Sequence, residues 1–340
     1  MPPRRRTRLI LAALLLALPL VAEGLLALLL AHPALVPRWP PLRDAVRRAY
    51  TLEDWNVLQA DPAALAPDSR LGYRLRPGSV RFANREFDTE LRINAAGLRD
   101  DEASLVAPDL IVLGDSFALG WGVGQEQSFP QRLEALTGLK VLNAGVPSYG
   151  TAREILLLRS LDLSRVRAVI VQYFLNDHGE NVAWLEGGAG LVVMSPEELS
   201  AQAQAHRERL RYRPFDLLRA AFDDLPFSSE LQQDTPETLA STALLVLSSA
   251  PELRGLPLVF LELDAWGEAR EPVAAALESV LAAGGAWNEL AGRLTVLRLA
   301  DTLRPEDAFV LDPHLRASGH EKVARALADV LAARGLLEPR

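Results

Sequence analysis

The chain has 340 residues, of which 49% are hydrophobic and 24% charged, a balance typical of folded proteins and not of disordered ones. It contains no cysteine, which excludes disulfides, thiolate metal sites and cysteine nucleophiles. The formal net charge of −8 argues against nucleic-acid binding, because an acidic protein repels phosphates.

The first predicted element is a transmembrane helix over residues 9–31, an apolar segment interrupted only by Pro19, Glu23 and Gly24. A helix of this length extends about 35 Å, enough for a hydrocarbon core of about 30 Å. Four arginines lie within residues 1–8. The positive-inside rule therefore predicts a cytoplasmic tail over 1–8, with the rest of the chain on the periplasmic side of the cell inner membrane.

A cleaved signal peptide is the alternative interpretation of this segment. The best cut follows Ala22, but it places Leu20 where a small residue is needed, so the sequence favours an uncleaved signal anchor. Glu23 is costly in the middle of a membrane. It could be protonated there or lie in a helix–helix contact, and the sequence does not separate the two.

Residues 32–107 divide into a Pro- and Arg-rich stretch over 32–50, interpreted as a juxtamembrane linker, and a small β-rich segment. Residues 71–100 alternate between apolar and polar side chains, which predicts a β-hairpin or antiparallel edge. The side chains expected on one face are Phe87, Thr89, Leu91 and Ile93.

From residue 108 to 340, short apolar runs alternate with helical patterns, which predicts a parallel sheet covered on both faces. The five runs are "DLIVLGDS", "KVLNAG", "RAVIVQYFLND", "LPLVFLELD" and "RLTVLRLAD". Two helices carry capping-box patterns, Thr151 with Glu154 and Ser318 with Glu321, the latter predicting a final helix from about Gly319. The predicted fold is a flavodoxin-like three-layer α/β sandwich. Residues 182–255 are too long for an ordinary connection, so we interpret them as a helical insertion or lid.

Polar residues follow the predicted strands, at the edge where ligands of open parallel sheets bind. Ser116 ends the first run, Gly145 the second and Asn176 the third, while Asp312 and His314 follow the fifth. Serine is a nucleophile when histidine takes its proton, a carboxylate orients that histidine, and fixed donors stabilise the oxyanion. A metal site from Asp312, His314 and His320 is disfavoured, because there is no cysteine and no pair of histidines at helical spacing. His320 is expected at the surface or in a local hydrogen bond.

Four motifs resemble, in order, the blocks of the SGNH (GDSL-type) hydrolases: "GDSF" at 114–117, "LNAGVPSYG" at 142–150, "LND" at 175–177 and "DPHLRASGH" at 312–320. The upstream "INAAGLRD" at 93–100 is similar to the lead-in of bacterial membrane-anchored members. The resemblance implies Ser116 as nucleophile, His314 as base and Asp312 as its partner. It also implies an oxyanion hole from Ser116, Gly145 and Asn176. Phe174 departs from the family's glycine, and only Pro313 separates Asp312 from His314, where two residues are usual.

The expected function is therefore that of an extracytoplasmic, membrane-anchored serine esterase without metal or cofactor. Its substrate would be an O-acyl ester, such as an acetyl ester, on an envelope glycan, another carbohydrate or a lipid. Two alternatives stay open. One is O-acyl transfer in polysaccharide modification, which requires a partner that delivers the acyl donor. The other is a non-catalytic SGNH scaffold that binds glycan, because a fold does not fix a function.

Overall fold

The computed structural model describes residues 3–53, 58, 61–188, 190, 191, 193–209, 211–223 and 234–338, with backbone alone for 3–16, 52, 53 and 209. The strands are β1 Leu65–Asp68, β2 Gly72–Leu75, β3 Gly78–Ala83, β4 Asp88–Ile93, β5 Leu110–Gly114, β6 Val141–Gly145, β7 Ala168–Tyr173, β8 Leu258–Glu262 and β9 Leu294–Leu297. The α-helices are α1 Pro3–Ala31, α2 Pro40–Glu53, α3 Ser116–Leu119, α4 Phe129–Thr137, α5 Thr151–Leu158, α6 Asp177–Glu186, α7 Pro196–Arg209, α8 Asp216–Ala220, α9 Pro236–Ser249, α10 Pro272–Ala283, α11 Asn288–Ala291 and α12 Ala317–Ala333.

The central sheet is parallel throughout, with five strands in the spatial order β6-β5-β7-β8-β9. Its first four strands in chain order are buried along their whole length. In β5, Ile111 and Leu113 belong to one core cluster while Leu110 and Val112 belong to another. Alternate side chains thus pack into layers on opposite faces of the sheet. The predicted five-stranded, flavodoxin-like sandwich is confirmed.

The segment before the sheet forms two antiparallel pairs, β1 with β2 and β3 with β4. In β4 the apolar side chains of Leu91 and Ile93 are buried while Glu90 and Arg92 are exposed, as the alternation predicts. The second pair is the predicted hairpin, and the first pair adds two short strands just before it.

Both capping-box predictions are wrong. Helix α5 has Gly150 as its N-cap, with no side-chain cap, and the Thr151 hydroxyl donates instead to Asp177 Oδ2 at 2.7 Å. Helix α12 begins at Ala317, so Ser318 lies inside its first turn and cannot cap it. In α5 the Thr151 hydroxyl makes a tertiary hydrogen bond instead of capping the helix. In α12 the helix begins one residue before the predicted cap.

Helices α1 and α2 pack against α8 and against the loop before α12. Among the described residues, no helix is long and apolar enough to cross a membrane. The predicted span starts at residue 9, and the side chains of its residues 9–16 are not among those that the structure describes.

Glu23 lies in a helix–helix contact: its carboxylate accepts hydrogen bonds from the Leu217 N–H at 3.3 Å, the Leu218 N–H at 2.8 Å and the Tyr212 hydroxyl at 3.1 Å. These contacts agree with the second of the two alternatives for Glu23, a helix–helix contact.

The prediction of a linker over 32–50 is wrong for its second half. Residues from Pro40 form α2, whose inner face of Val46, Ala49 and Tyr50 is fully buried. This face packs with Leu30 of α1 and Leu311 of the loop before α12. Arginines on the other positions made the helix look like a solvated linker.

The predicted insertion over 182–255 contains the end of α6, then α7, α8 and α9. Helix α9 is a core element, since Leu239, Ala243 and Leu247 on it are fully buried in the main cluster. It is therefore the crossover helix between β7 and β8. The additional structure is confined to the residues between α6 and α9.

Candidate active site

Ser116 follows β5 as the first residue of α3, where the chain turns sharply from strand to helix. Asp115 caps this turn, because its Oδ1 accepts the Phe117 N–H at 2.9 Å. Gln172 on the neighbouring strand β7 supports it with Oε1, which accepts the N–H groups of Asp115 and Ala118, both at 3.1 Å. Two side chains therefore fix the backbone on either side of Ser116 and hold its hydroxyl at the edge of the sheet.

Gly145 pairs with Gly114 at the ends of β6 and β5. A Cβ at this position would lie 2.3 Å from the Leu119 nitrogen, so only glycine lets α3 approach the strand this closely. The Gly145 N–H donates to Asn143 Oδ1 at 3.0 Å. The described role of Gly145 is thus close packing, and its predicted role as an oxyanion donor stays a prediction.

The structure brings Ser116, His314 and Asp312 into one hydrogen-bonded series. Ser116 Oγ lies 2.7 Å from His314 Nε2, and His314 Nδ1 lies 2.7 Å from Asp312 Oδ1. An ionised carboxylate only accepts hydrogen bonds, so Nδ1 carries the proton and donates to Asp312. The neutral ring then has an unprotonated Nε2, which accepts from the Ser116 hydroxyl. This is the tautomer that a general base for serine requires.

Asp312 is buried and surrounded by hydrogen-bond donors. Burial acts to raise the pKa of Asp312, but His314 and the Tyr50 hydroxyl outweigh it and hold the pKa below its ordinary value. Asp312 therefore stays ionised. The backbone of its loop is held as well: the Glu86 carboxylate accepts the N–H groups of Val310, Leu311 and Asp312, each at 2.8 Å.

Two aromatic rings bracket the imidazole of His314. Trp121 stacks on it with ring centroids 5.0 Å apart and planes at 22°, and Phe117 lies 4.6 Å away on a tilt. Phe117 in turn contacts Phe174 at 5.1 Å, which gives a packing role to the residue that replaces the family's glycine. These contacts restrict the ring to the plane that its two hydrogen bonds need.

Arg99 of the "INAAGLRD" motif fastens the loop that carries Trp121. It is fully buried, and its guanidinium donates to the carbonyl oxygens of Leu119 at 3.1 Å, Gly120 at 2.6 Å and Val123 at 2.7 Å. Burial lowers the pKa of Arg99 to about 10, which leaves it charged at neutral pH. The upstream motif thus has a structural explanation: it fixes the backbone around the tryptophan beside the base.

Asn176 follows β7 and lies near the turn at Asp115 and Ser116. Burial raises the pKa of Asp115, while the Phe117 N–H, His314 and the side chains of Gln172 and Asn176 act against that rise, which places Asn176 close to Asp115. Asn176 Oδ1 is buried and has no hydrogen-bond partner among the described residues. Rotation of the amide exchanges Oδ1 with the donor Nδ2. The oxyanion role of the Asn176 amide stays a prediction.

The surface position expected for His320 is wrong. Only 1% of its area is exposed, and its Nδ1 accepts the Phe129 N–H at 3.2 Å. Burial, followed by the charges of Arg99 and His314, lowers the pKa of His320 to about 3. Within the described ranges, no three His, Asp or Glu side chains form a group that could hold a metal ion.

The sequence predictions missed Tyr50, Asn84, Glu86 and Trp121. The first three lie more than 220 positions before Asp312, so no local spacing links them to it. Trp121 is different, because it lies in the glycine-rich "GDSFALGWGVG" directly after the nucleophile. An aromatic residue this close to the predicted nucleophile was a local signal that the sequence offered.

No protein-family model matches the chain, and no curated protein matches it. Several solved structures do. One, from Desulfitobacterium hafniense DCB-2, is described as a lipolytic protein of the G-D-S-L family; it is 13% identical, with a TM-score of 0.39 over 65% of this chain and 98% of that one. A lipase from goat rumen metagenome is 15% identical, with a TM-score of 0.35 over 67% of this chain and 99% of that one.

A third structure, from Corynascus thermopiles (Myceliophthora fergusii), is a carbohydrate esterase of family 2 with a carbohydrate-binding domain; it is 12% identical, with a TM-score of 0.33 over 66% of each chain. The matched structures thus include a member of the G-D-S-L family that the four motifs resemble. All three TM-scores are below 0.5, so the functional argument rests on the geometry of this chain's own residues.

Proposed function

We propose that this chain is a serine ester hydrolase of the SGNH type that acts through a covalent acyl-enzyme on Ser116. One observation carries the proposal: the hydrogen-bonded series from Ser116 Oγ through His314 to the buried carboxylate of Asp312, with 2.7 Å at each step. A serine and a histidine at this distance form an activated nucleophile. A carboxylate on the far nitrogen fixes the tautomer and stabilises the imidazolium that forms.

In the acylation step, Ser116 Oγ attacks the carbonyl carbon of the ester while its proton passes to His314 Nε2. The tetrahedral intermediate collapses as the carbon–oxygen bond to the alcohol breaks, and Nε2 returns its proton to that alcohol. Water then attacks the acyl-enzyme, giving its proton to Nε2, and the acid leaves as Ser116 recovers its hydrogen. Asp312 remains ionised throughout, because its hydrogen bonds favour the charged carboxylate.

The oxyanion would be stabilised by the backbone N–H of Ser116, which opens α3 and has no partner within the helix. The Asn176 amide beside the nucleophile turn is the second proposed donor. The Gly145 N–H would contribute only after release from Asn143 Oδ1, to which it is bonded here. Preorganised donors of this kind contribute about 3 kcal/mol each to catalysis in related chemistry.

We propose that the enzyme lies on the periplasmic face of the inner membrane and is anchored through residues 9–31, the segment that the sequence predicts as a signal anchor. The arginines before residue 9 and the apolar run after it support this placement. Leu18, Leu20 and Val21 on α1 are more than 60% exposed, which suits contact with lipid. From that position the substrate class would be acylated glycan, other carbohydrate or lipid of the cell envelope.

The test is turnover of an aryl acetate by the full chain in detergent, compared with Ser116→Ala and with Ser160→Ala, a control at an exposed serine. We expect turnover by the native chain and the control, and none above background by Ser116→Ala. Equal rates for all three, or none for any, would contradict the proposal. Product formation that requires an added sugar alcohol would instead identify an O-acyltransferase, which uses the same acyl-enzyme.

A further inference from the structure

The second oxygen of the Asp312 carboxylate has donors of its own. While Oδ1 accepts from His314, Oδ2 accepts from the Tyr50 hydroxyl at 2.8 Å, the Trp121 Nε1–H at 3.2 Å and the Asn84 amide at 3.3 Å. These donors come from α2, the loop after α3 and the turn between β3 and β4. Three separate parts of the chain therefore converge on one oxygen that the base does not touch.

Tyr50 is the shortest of these contacts and is itself oriented. The Asn84 Nδ2–H donates to the Tyr50 oxygen at 2.5 Å, so the tyrosine proton is left to donate to Asp312. The Asn84 amide cannot rotate without loss, because its Oδ1 accepts the N–H groups of Glu86 at 2.7 Å and Phe87 at 3.2 Å. The direction of the series Asn84 to Tyr50 to Asp312 is thus fixed by the backbone of the hairpin turn.

The helix that carries Tyr50 is attached directly to the Asp312 loop. The Arg47 Nε–H donates to the Val310 carbonyl at 3.0 Å, and its guanidinium lies 4.1 Å from the ring centre of Trp266. Trp266 in turn donates through Nε1 to the Leu311 carbonyl at 3.0 Å, and its backbone N–H donates to the Pro313 carbonyl at 2.7 Å. Helix α2 and the loop 310–313 therefore form one packed unit.

We propose that Tyr50 is a positioning residue for the catalytic pair: its hydroxyl holds the Asp312 carboxylate in the plane that lets Oδ1 orient His314. This inference rests on the proposed function. A carboxylate with donors on both oxygens has one orientation, whereas one held only by histidine can rotate about its bond to Cβ. The donors on Oδ2 also take up part of the negative charge that His314 would otherwise feel.

Loss of the Tyr50 hydroxyl has a defined consequence. The negative charge of the Asp312 carboxylate becomes less well compensated, because the Tyr50 hydroxyl is one of the groups that hold the pKa of Asp312 below its ordinary value. The carboxylate then stabilises a positive charge on the neighbouring imidazole more strongly. Other titratable groups near the pair are Glu86 from the hairpin turn, Asp115 before α3, and Arg99 and the neutral His320 behind the site. None of these is changed by removal of a tyrosine oxygen, so a shift of the activity profile reports on Asp312 and His314.

The experiment compares Tyr50→Phe with the native chain and with Tyr212→Phe. The second variant is a control, because it removes a tyrosine hydroxyl that donates to Glu23 of α1 and not to Asp312. For Tyr50→Phe we expect kcat to fall about tenfold with KM unchanged, as for the loss of one hydrogen bond to a charged group. The acid limb of the kcat profile should move to higher pH. Trp121→Phe, which removes a longer donor and keeps a ring beside His314, should give a smaller shift in the same direction.

A second measurement does not depend on turnover. The proton between His314 Nδ1 and Asp312 should give a downfield NMR signal, assigned by its loss in His314→Gln. In Tyr50→Phe this signal should move or broaden while that of Tyr212→Phe stays in place. An unchanged signal with an unchanged pH profile would overturn the positioning role while leaving the esterase proposal intact. If the native chain turns over no ester, the proposed function fails and the NMR signal still decides whether Tyr50 positions Asp312.

Discussion

Asp312 and His314 form a catalytic-type contact across a single residue, Pro313. The side chain of Asp312 folds back along the chain, so that Oδ1 accepts both the His314 backbone N–H at 3.1 Å and the His314 Nδ1–H at 2.7 Å. The first of these is an Asx-type turn, in which aspartate bonds the backbone two residues on. Proline between them fixes one backbone dihedral. A spacing shorter than the family's usual one therefore still delivers the carboxylate to the far nitrogen.

We predict that Asp312→Asn lowers kcat by about 10⁴-fold, as loss of the correct histidine tautomer does elsewhere. The donors of Tyr50, Asn84 and Trp121 would hold the amide oxygen on the Oδ2 side. The NH₂ group would then face His314 Nδ1 and force the proton onto Nε2, which could no longer accept from Ser116. The measurement is ester turnover, with thermal unfolding as the check on folding. Activity within a few-fold of native would contradict the role of Asp312.

Asn176→Ala tests the oxyanion hole. If its amide stabilises the developing charge, kcat should fall by about 10²- to 10³-fold with little change in KM, since the interaction forms only in the transition state. The exposed Asn288 is the first residue of α11, far along the chain, and Asn288→Ala serves as the control. A change confined to KM, or equal effects of both substitutions, would show that Asn176 is not an oxyanion donor.

The buried His320 predicts a loss of stability in acid. The native chain keeps His320 neutral down to about pH 3, whereas the unfolded chain protonates it near 6.5, so added protons favour the unfolded state between these values. The contribution to the free energy of unfolding is present above pH 6.5 and falls by about 1.4 kcal/mol per pH unit below it. His320→Asn keeps an acceptor for the Phe129 N–H but cannot titrate.

Denaturant unfolding at pH 6 and pH 4 measures this difference. The native chain should lose about 2.5 kcal/mol more than His320→Asn over that interval. Other buried groups titrate in both proteins and cancel in the comparison. Parallel pH dependences in the two proteins would show that His320 is protonated in the folded state.

Glu23 should couple α1 to α8. Its carboxylate accepts two N–H groups at the start of α8, and it is only 7% exposed. Glu23→Ala leaves these donors unpaired, a loss of roughly 2 kcal/mol, so hydrogen exchange at Leu217 and Leu218 should become about 30-fold faster. Leu20→Ala, at an exposed position on the same helix, should not change it. Unaltered exchange in Glu23→Ala would mean that the helices associate through apolar contacts alone.

The sheet and the candidate catalytic residues could be predicted because both leave local signals. Buried parallel strands are short continuous apolar runs, and their carboxyl ends must share an edge, so Ser116, Asn176 and His314 could be placed together from the sequence. The short Asp312 to His314 spacing could not be evaluated from sequence, because whether the side chain folds back depends on the turn geometry.

The support of the site could not be predicted, because it comes from contacts between distant segments. Helix α2 was interpreted as a linker on its proline and arginine content. Its apolar residues nevertheless recur at helical spacing, from the partly buried Leu42 to the buried Val46, Ala49 and Tyr50, and this pattern was the available signal. The burial of His320 and the tertiary bond of Thr151 leave no such trace, since each depends on a partner from another part of the fold.

Covalent labelling of the full chain by a serine-directed fluorophosphonate, followed by peptide mass spectrometry, tests the central claim most directly. The probe reacts with a serine whose hydroxyl has been activated by a base. We predict a single label on the peptide that carries Ser116, absent from Ser116→Ala and strongly slowed in Asp312→Asn. A native chain that stays unlabelled, or one labelled at a different serine, would contradict the assignment of Ser116 as the nucleophile.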